Sequence, residues 1–336
     1  VIGLEVHISL LTESKLFCSC QAHGGEKPNI FTCPVCLGHP GSKPVPNETA
    51  VKHALKLCIS LGCKISPRII FSRKSYFYPD LAKNYQITQY EKPLGQDGLF
   101  VMGNKKIRIK RVHLEEDPAS IVHPGGIGKS NYVLVDYNRS GNPLTEVVTY
   151  PDLSSAQEAR DFMKQLINIL QYLGIFNNGI IKADANVSIK ESGFVRAEIK
   201  NITGFKEIES ALLYEIARQK SLIKEGKKLV QETRLWDSKK GITELLREKE
   251  TEEDYGYIFD PDLVPIEISA LTKNLKKNIP ELPNEKFRRY MKEYNLSEED
   301  AFVLTNELAL TELFEKTVKE VTPILAARWI RRELVR

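Results

Sequence analysis

Two groups of residues in this sequence have the types and spacing to do chemistry. The first lies in the opening run VIGLEVHISLL, residues 1–11, where Glu5 and His7 stand two apart. Ile2, Leu4, Val6, Ile8 and Leu10 fill the even positions. A strand would bury that stripe and project the carboxylate and the imidazole together from its other face. Taken alone, such a pair is ordinary for the wet face of an antiparallel strand. The second group is Cys18-x-Cys20-x12-Cys33-x2-Cys36. Four thiolates in two pairs across one short loop match a tetrahedral structural zinc site, with His23 and His39 as spare ligands. A closed four-sulfur site has no open coordination position, so its role would be to staple the loop spanning 16–40. Cys58 and Cys63, at a helix end, read as ordinary buried thiols.

The two-residue logic of Glu5 and His7 repeats along the chain. KSYFYPD puts Lys74, Tyr76, Tyr78 and Asp80 on one side. VDYN does the same for Asp136 and Asn138, DANVS for Asp184, Asn186 and Ser188, and AEIKN for Glu198 and Lys200. VHLEEDP adds Glu115 and Glu116, and NPLTEVV adds Glu146. Any one of these strands could simply be solvated. Several in one sheet would form a polar, acid-rich concavity. Carboxylates with an imidazole are ligands for Mg²⁺ or Mn²⁺, and a lysine would meet phosphate oxygens. That chemistry is phosphoryl transfer on a metal-lined sheet. The run HPGGIGKS (123–130) imitates a phosphate-binding P-loop, but His123 occupies the place of its first glycine and a strand pattern follows it. It reads as a glycine-rich loop or hairpin. No Ser-His-Asp or Cys-His nucleophile set competes.

The elements that must position these residues form an ordinary globular chain. Its 336 residues suffice for about two domains, and 42% hydrophobic with 27% charged residues is a globular composition. The net charge of +4 is too mild to argue for nucleic-acid binding. KKIRIKR (105–111) could line a phosphate backbone or form the solvated face of a strand. No apolar run reaches the ~20 residues of a membrane span, and no signal pattern opens the chain, so the expected location is the cytoplasm. A first residue of Val and a last helical run without a stop signal suggest trimming at both ends. To about residue 210, short alternating runs broken by Gly, Pro and Asn predict strands. They are interrupted by helices over 47–62, with Asn47 as cap and Gly62 beyond its end, and over 154–174, with Ser154 and Gln157 as a capping box and Gly174 as a stop. Another helix is predicted near 207–225. From about 285 the character is purely helical, with Ser297-x-x-Asp300 as a start signal. The expected fold is α+β: a largely antiparallel catalytic sheet over 1–285, with the cysteine loop inside it, then the start of an all-α domain over 286–336.

IGLEVHISLLTESKLFCSC, RKSYFYPDLAKNYQITQY, HLEED, LVDYNRSGNPLTEVV, DANVSI, EIKNI, QETRLWD and EDYGYIFDPDLVP together resemble the GatB family, the ATP-using component of the tRNA-dependent amidotransferase complex GatCAB. The resemblance runs through the chain and is most specific up to about residue 270. It implies a cradle-shaped domain related to glutamine synthetase and ATP-dependent amidation of Asp-tRNA(Asn) or Glu-tRNA(Gln). The side-chain carboxylate is phosphorylated, and ammonia then displaces the phosphate. It also implies three partners: the amidase GatA as the ammonia source, the small protein GatC, and misacylated tRNA. The only Ser-Ser pair, Ser154-Ser155, caps a helix and is no amidase signature. Carried over by motif, the magnesium ligands fall on His7, Glu116 and Glu146. Glu5 and Asp184 would serve a second cation or the nucleotide, with Lys74 on its phosphates. Tyr76, Tyr78, Lys83, Asn186, Glu198 and Lys200 would line the cradle, beside Asp80 and Asn138 from the alternation pattern. Complete members continue into a tail domain that grips tRNA, so weak tRNA affinity is expected of this chain. The rival reading is a zinc-bearing RNA-binding scaffold, which would have no need of Glu5, His7, Glu116 and Glu146 on one surface.

Overall fold

A computed structural model describes residues 1–25, 27–126, 130–176, 181–248 and 256–335. In chain order the strands are β1 (Ile2–Ser9), β2 (Lys64–Ile65), β3 (Arg68–Ile69), β4 (Ser72–Ser75), β5 (Tyr85–Thr88), β6 (Gly95–Met102), β7 (Lys105–Glu116) and β8 (Ser120–Val122). They continue as β9 (Leu134–Asp136), β10 (Pro143–Thr149), β11 (Lys182–Val187), β12 (Ala197–Thr203), β13 (Glu232–Asp237), β14 (Ile242–Glu248), β15 (Gly256–Phe259) and β16 (Ile266–Glu267). The helices are α1 (Glu48–Ser60), α2 (Ala156–Tyr172), α3 (Phe205–Lys224), α4 (Ser269–Lys277), α5 (Pro283–Glu293), α6 (Glu298–Thr305), α7 (Leu308–Thr317) and α8 (Pro323–Leu334).

The alternation predicted for the first strand holds. Ile2, Leu4, Val6 and Ile8 are buried, while Glu5 and His7 are half-buried on the opposite face. β1 is a central strand of a nine-stranded sheet ordered β14-β13-β12-β11-β1-β10-β7-β6-β2. Every neighbouring pair is antiparallel except β12 with β13. The fold is thus α+β with a largely antiparallel sheet. The buried stripe of β1 joins a core shared with Leu55 and Leu57 of α1, Phe162, Leu166 and Leu170 of α2, and Ile208 and Leu212 of α3. Burying an aliphatic side chain contributes roughly 1.5–3 kcal/mol, so this face fixes the register and leaves the other face free for polar work.

A three-stranded sheet, β15-β4-β5, stands against the end of β7 and forms one wall above the polar face. Polar side chains weld it there. Gln89 Oε1 accepts from the Leu114 amide at 2.9 Å, and Gln86 Nε2 donates to the Glu116 carbonyl at 2.6 Å. The helices follow their local signals with small shifts. Asn47 caps α1 by accepting from the Ala50 amide, and Gly62 follows with φ +63°. α2 is capped by Ser155, not Ser154, because Ser154 instead hydrogen-bonds the side chain of Glu158. The run after Ser297 is two helices, α6 and α7, with Asn306 as the C-cap of α6. α5 to α8 gather around a second apolar cluster that includes Tyr290, Leu304, Phe314 and Ile330. It is tied to the first unit through Thr305, whose carbonyl accepts from Asn168 Nδ2 at 2.9 Å. Residues 127–129 of the glycine-rich run lie outside the described residues; among those after it, the next element is a strand, β9. No helix among the described residues is long and apolar enough to cross a membrane.

Candidate active site

The polar face of the sheet is a grid set by strand register. One row reads Lys182, His7, Glu146, His113 across β11, β1, β10 and β7. The next reads Asp184, Glu5, Val148, Arg111. Side chains directly opposite on neighbouring strands share a face, so both rows look into one cavity of about 1310 Å³. Glu115, two residues beyond His113, joins them on that face. Its carboxylate lies 3.2 Å from His7 Nδ1 and 3.7 Å from His113 Nε2, and Glu146 lies 3.0 Å from His113 Nε2.

These groups hold one another in charged states despite burial. Burial alone would lower His7. The hydrogen bond to Glu115 and the charges of Glu146, Glu115 and Asp184 outweigh it and lift the imidazole to about 10. His113 rises in the same way, to about 8, with Glu146 as its strongest partner. The two histidines in turn hold Glu115 well below the usual carboxylate range against the effect of burial, and Glu146 at about 2. Glu5 is pushed upward, first by burial and then by Glu146, Glu198 and Asp184. Asp117, at the rim, is raised by burial to about 6, and burial depresses Lys182.

One set of donor atoms from His7, Glu115 and Glu146 lies within 4.8 Å of one another. Glu146 Oε1 and His113 Nδ1 are buried without a hydrogen-bond partner. Two carboxylates and an imidazole, with an unsatisfied buried oxygen among them, fit a divalent cation. His113 would then act as the group that orients the ligating carboxylates.

Glu116 was expected in this set and is not there. Its parity is opposite to that of Glu115, so it leaves the cavity. It pairs with Lys83 at 2.6 Å and accepts the Ile87 amide at 2.9 Å. Lys83 is drawn out of the cradle with it. The stem of Lys83 lies on Gly38, where an added Cβ would meet Lys83 Cγ at 2.4 Å; Gly38 also has φ +68°. Asn138 is a correction too. Its Oδ1 accepts from the Phe31 amide at 2.9 Å and its Nδ2 donates to the Lys27 carbonyl at 2.7 Å, so it holds the cysteine loop. Asp136 does likewise through the Asn29 amide. Asn186 and Glu198, directly opposite each other, share the polar face with Asp184 and Lys200 but lie beyond the residues that line the cavity. Asn186 Nδ2 donates to Glu5 Oε1 at 3.0 Å, and Glu198 pairs with Lys200 at 3.0 Å. Ser188 lies at the end of β11, away from the cavity lining.

The cavity does take in Glu5, His7, Lys74, Tyr76, Tyr78, Asp80, Glu146, Asp184 and Lys200. Lys200 also reaches Asp184 at 3.5 Å. A bulge in β12, where Lys200 and Asn201 together oppose the single residue Asp184 of β11, lets both approach that carboxylate, whose Oδ1 accepts the Asn201 amide. Sequence reasoning passed over His113, Lys182, Arg139 and Asp117, and weighed Arg111 only as the end of the basic run 105–111. For Arg111 and His113 a signal was present: they share one parity with Glu115 in RVHLE.

The cysteine loop lies beside the sheet. Cys18, Cys20, Cys33 and Cys36 offer sulfurs within 4.8 Å of one another, and Cys33 and Cys36 are 3.8 Å apart. A zinc ion with Zn–S near 2.3 Å places its sulfurs about 3.8 Å apart, so the donor set fits. The Cys33 amide points at Cys36 Sγ at 3.2 Å, and the buried Lys15 ammonium stands 3.8 Å from it. Lys15 also donates to the carbonyls of Phe31 and Tyr137 at 2.7 and 3.2 Å.

The structure thus defines an α+β protein whose largely antiparallel sheet floors a cavity lined by carboxylates, imidazoles and cations. Residues 1–273 match the model of the GatB/GatE catalytic domain, and the chain belongs to that family. It is 50% identical to the B-type subunit of the aspartyl/glutamyl-tRNA(Asn/Gln) amidotransferase of Thermodesulfovibrio yellowstonii, covering all of this chain and 73% of that protein. Identity to the protein of the same name from Saccharolobus solfataricus is also 50%, over 94% of this chain and 69% of the relative. For that of Thermotoga maritima it is 46%, over 100% and 73%.

Proposed function

We propose that this chain is the amide-forming subunit of an aspartyl/glutamyl-tRNA amidotransferase. It activates the side-chain carboxylate of Asp-tRNA(Asn) or Glu-tRNA(Gln) with ATP and passes it to ammonia. The names of its relatives supply the reaction class; the observation that carries the assignment to a site is the buried cluster of His7, Glu115 and Glu146 at the floor of the cradle.

A carboxylate is a poor electrophile, which is why two steps are needed. A substrate carboxylate oxygen attacks the terminal phosphorus, the bond to the ADP oxygen breaks, and an acyl phosphate forms. Ammonia then attacks the acyl carbon, the acyl–oxygen bond breaks, phosphate leaves and the nitrogen sheds a proton. His7, Glu115 and Glu146 would hold Mg²⁺ or Mn²⁺, which when bound neutralises charge on phosphate oxygens. His113 keeps the carboxylates oriented and ionised. Asp184 and Lys200 form the paired flank toward β12, with Glu5 between them and the cluster, and Lys74, Tyr76 and Tyr78 line the opposing wall. The cysteines would hold a structural zinc that pins the loop. We read 1–285 as the catalytic cradle, of the glutamine synthetase kind, and 286–336 as the start of a helical domain. The amidase GatA would supply ammonia, the small protein GatC would complete the assembly, and the working location would be the cytoplasm.

Reconstitution of the full-length protein with the amidase, the small protein, misacylated tRNA, ATP and Mg²⁺ tests this. His7→Ala and Glu146→Ala should each reduce amidation by on the order of 10³-fold while glutamine hydrolysis persists. Wild-type amidation in both variants would remove the site assignment and favour the zinc-bearing scaffold. ATP cleavage stimulated by free glutamate but not by Glu-tRNA would point instead to a small-molecule ligase.

A further inference from the structure

Five cationic side chains line the cradle: Lys74, Arg111, Arg139, Lys182 and Lys200. Three have visible occupations. Arg139 donates to the Pro118 carbonyl at 2.8 Å and pairs with Asp117 at 3.1 Å. Lys200 is committed to Glu198 and Asp184. Lys74 stands 5.9 Å from the Tyr76 ring. Arg111 and Lys182 are different. Neither makes an ion pair or a side-chain hydrogen bond among the described residues, and Arg111 Nε is buried without a partner.

Their places in the grid give this a meaning. Lys182 is the direct cross-strand neighbour of His7, on the β11 side. Arg111 lies on β7, two residues from His113 and opposite Val148 on β10. The cluster of His7, Glu115 and Glu146 is therefore bracketed by two uncommitted cations, three strand spacings or about 14 Å apart at the backbone. Both side chains are long enough to reach inward over it. A partly buried cation without a paired anion is unfavourable in the fold, and the nearby acids have closer partners: Asp117 pairs with Arg139, Asp184 with Lys200, and Glu115 and Glu146 with the two histidines. The missing partner is an anion that enters the cavity. The planar Arg111 fork matches two oxygens of one phosphate, while Lys182 offers a point charge.

Building on the phosphoryl-transfer reading above, we propose that Arg111 and Lys182 are anion-binding catalytic residues. They clasp the phosphate chain of a nucleoside triphosphate from opposite flanks of the His7–Glu115–Glu146 cluster. During transfer, negative charge spreads over the equatorial oxygens of the moving phosphoryl group and onto the departing bridge oxygen. The clasp places one fixed positive charge on each side of that group.

The test uses the full-length protein assembled with the amidase and the small protein. Binding of the β,γ-imido analogue of ATP with Mg²⁺ is measured by calorimetry, and ATP cleavage is measured with Glu-tRNA present. Arg111→Met and Lys182→Met should each weaken analogue binding at least ten-fold and slow ATP cleavage by about 10²–10³-fold, the range for loss of one transition-state charge donor. Melting temperature and glutamine hydrolysis should be unchanged. Arg111→Lys and Lys182→Arg should recover part of both losses. Analogue binding and cleavage within about three-fold of wild type in either Met variant would overturn the proposal. So would a conservative variant no better than its Met counterpart. If the wild type binds the analogue through these residues yet never amidates tRNA, the amidation reading fails and the clasp stands.

Discussion

The cysteine loop and the carboxylate–imidazole cluster both gather side chains that could hold a metal ion, and they are built in opposite ways. The four cysteines come from one short segment, 18–36, and their spacing alone brings them together. His7 and Glu115 are separated by more than 100 residues of sequence, and Glu115 and Glu146 by about thirty. They meet only because β7, β10 and β1 pair in one register. A local site depends on turn geometry; a sheet site depends on parity, and a shift of one residue turns a side chain to the opposite face. Glu115 and Glu116 show the cost of that. They are adjacent and chemically alike, yet one enters the cluster and the other seals Lys83 against the cysteine loop.

The sharpest break of this comparison is to remove each of the two glutamates. Glu115→Gln, which keeps a hydrogen-bond acceptor for His7 and His113, should reduce amidation by on the order of 10³-fold and leave the fold intact. Glu116→Ala should do the reverse. It strands the buried Lys83 ammonium, which costs about 3–5 kcal/mol, while activity per folded molecule falls less than ten-fold. Equal activity losses without loss of stability in Glu116→Ala would erase the distinction.

The cysteine region should respond through stability. Elemental analysis should find one zinc per chain, and Cys36→Ala should release it and lower the melting temperature by roughly 5–10 °C. Unchanged melting with no zinc in the wild type would remove the metal from that loop. Within the same region, Gly38→Ala should also lower the melting temperature, by less than loss of the zinc, because a Cβ there meets Lys83 Cγ at 2.4 Å and its backbone Cα at 3.2 Å and strains a positive φ. No change in melting would show that the contact between loop and sheet is slack.

The smallest effect lies in α1, outside both metal sets. His53 is held down, to about 4, by burial and then by the charge of Lys56, and its Nδ1 is buried without a partner. The unfolded chain binds this proton near the ordinary value of about 6.5, so stability is full above that pH and falls as pH drops toward 4. His53→Gln should flatten the melting-temperature profile over that window and leave it unchanged above pH 7. An identical profile in the variant would show that other groups govern the acid limb.

Much of this was legible in the sequence. The stripe of β1, the caps at Asn47 and Ser297 and the cysteine spacing are local signals, and each has its counterpart in the structure. Long-range register was not legible. Nothing local in HLEED says which glutamate faces His7; that is decided by pairing with Leu144 and Pro143 across the sheet. Asn138 was misplaced for the same reason. Its alternation with Asp136 is real, but the strand belongs to a separate two-stranded ribbon beside the cysteine loop. Lys182 was passed over because its importance lies in having no ion-pair partner, which only the packed structure reveals; Arg111 stood in a basic run, but its place beside the cluster is set by the register of β7 with β10.

The central claim is that the sheet cluster, with Glu115 rather than Glu116, is the cation site of the cradle. Anomalous diffraction from Mn²⁺-soaked crystals of the full-length protein tests it most directly. The account predicts a manganese peak bounded by His7, Glu115 and Glu146, separate from a zinc peak among the four cysteines. A manganese peak on Glu116, or none within the cluster, would contradict it.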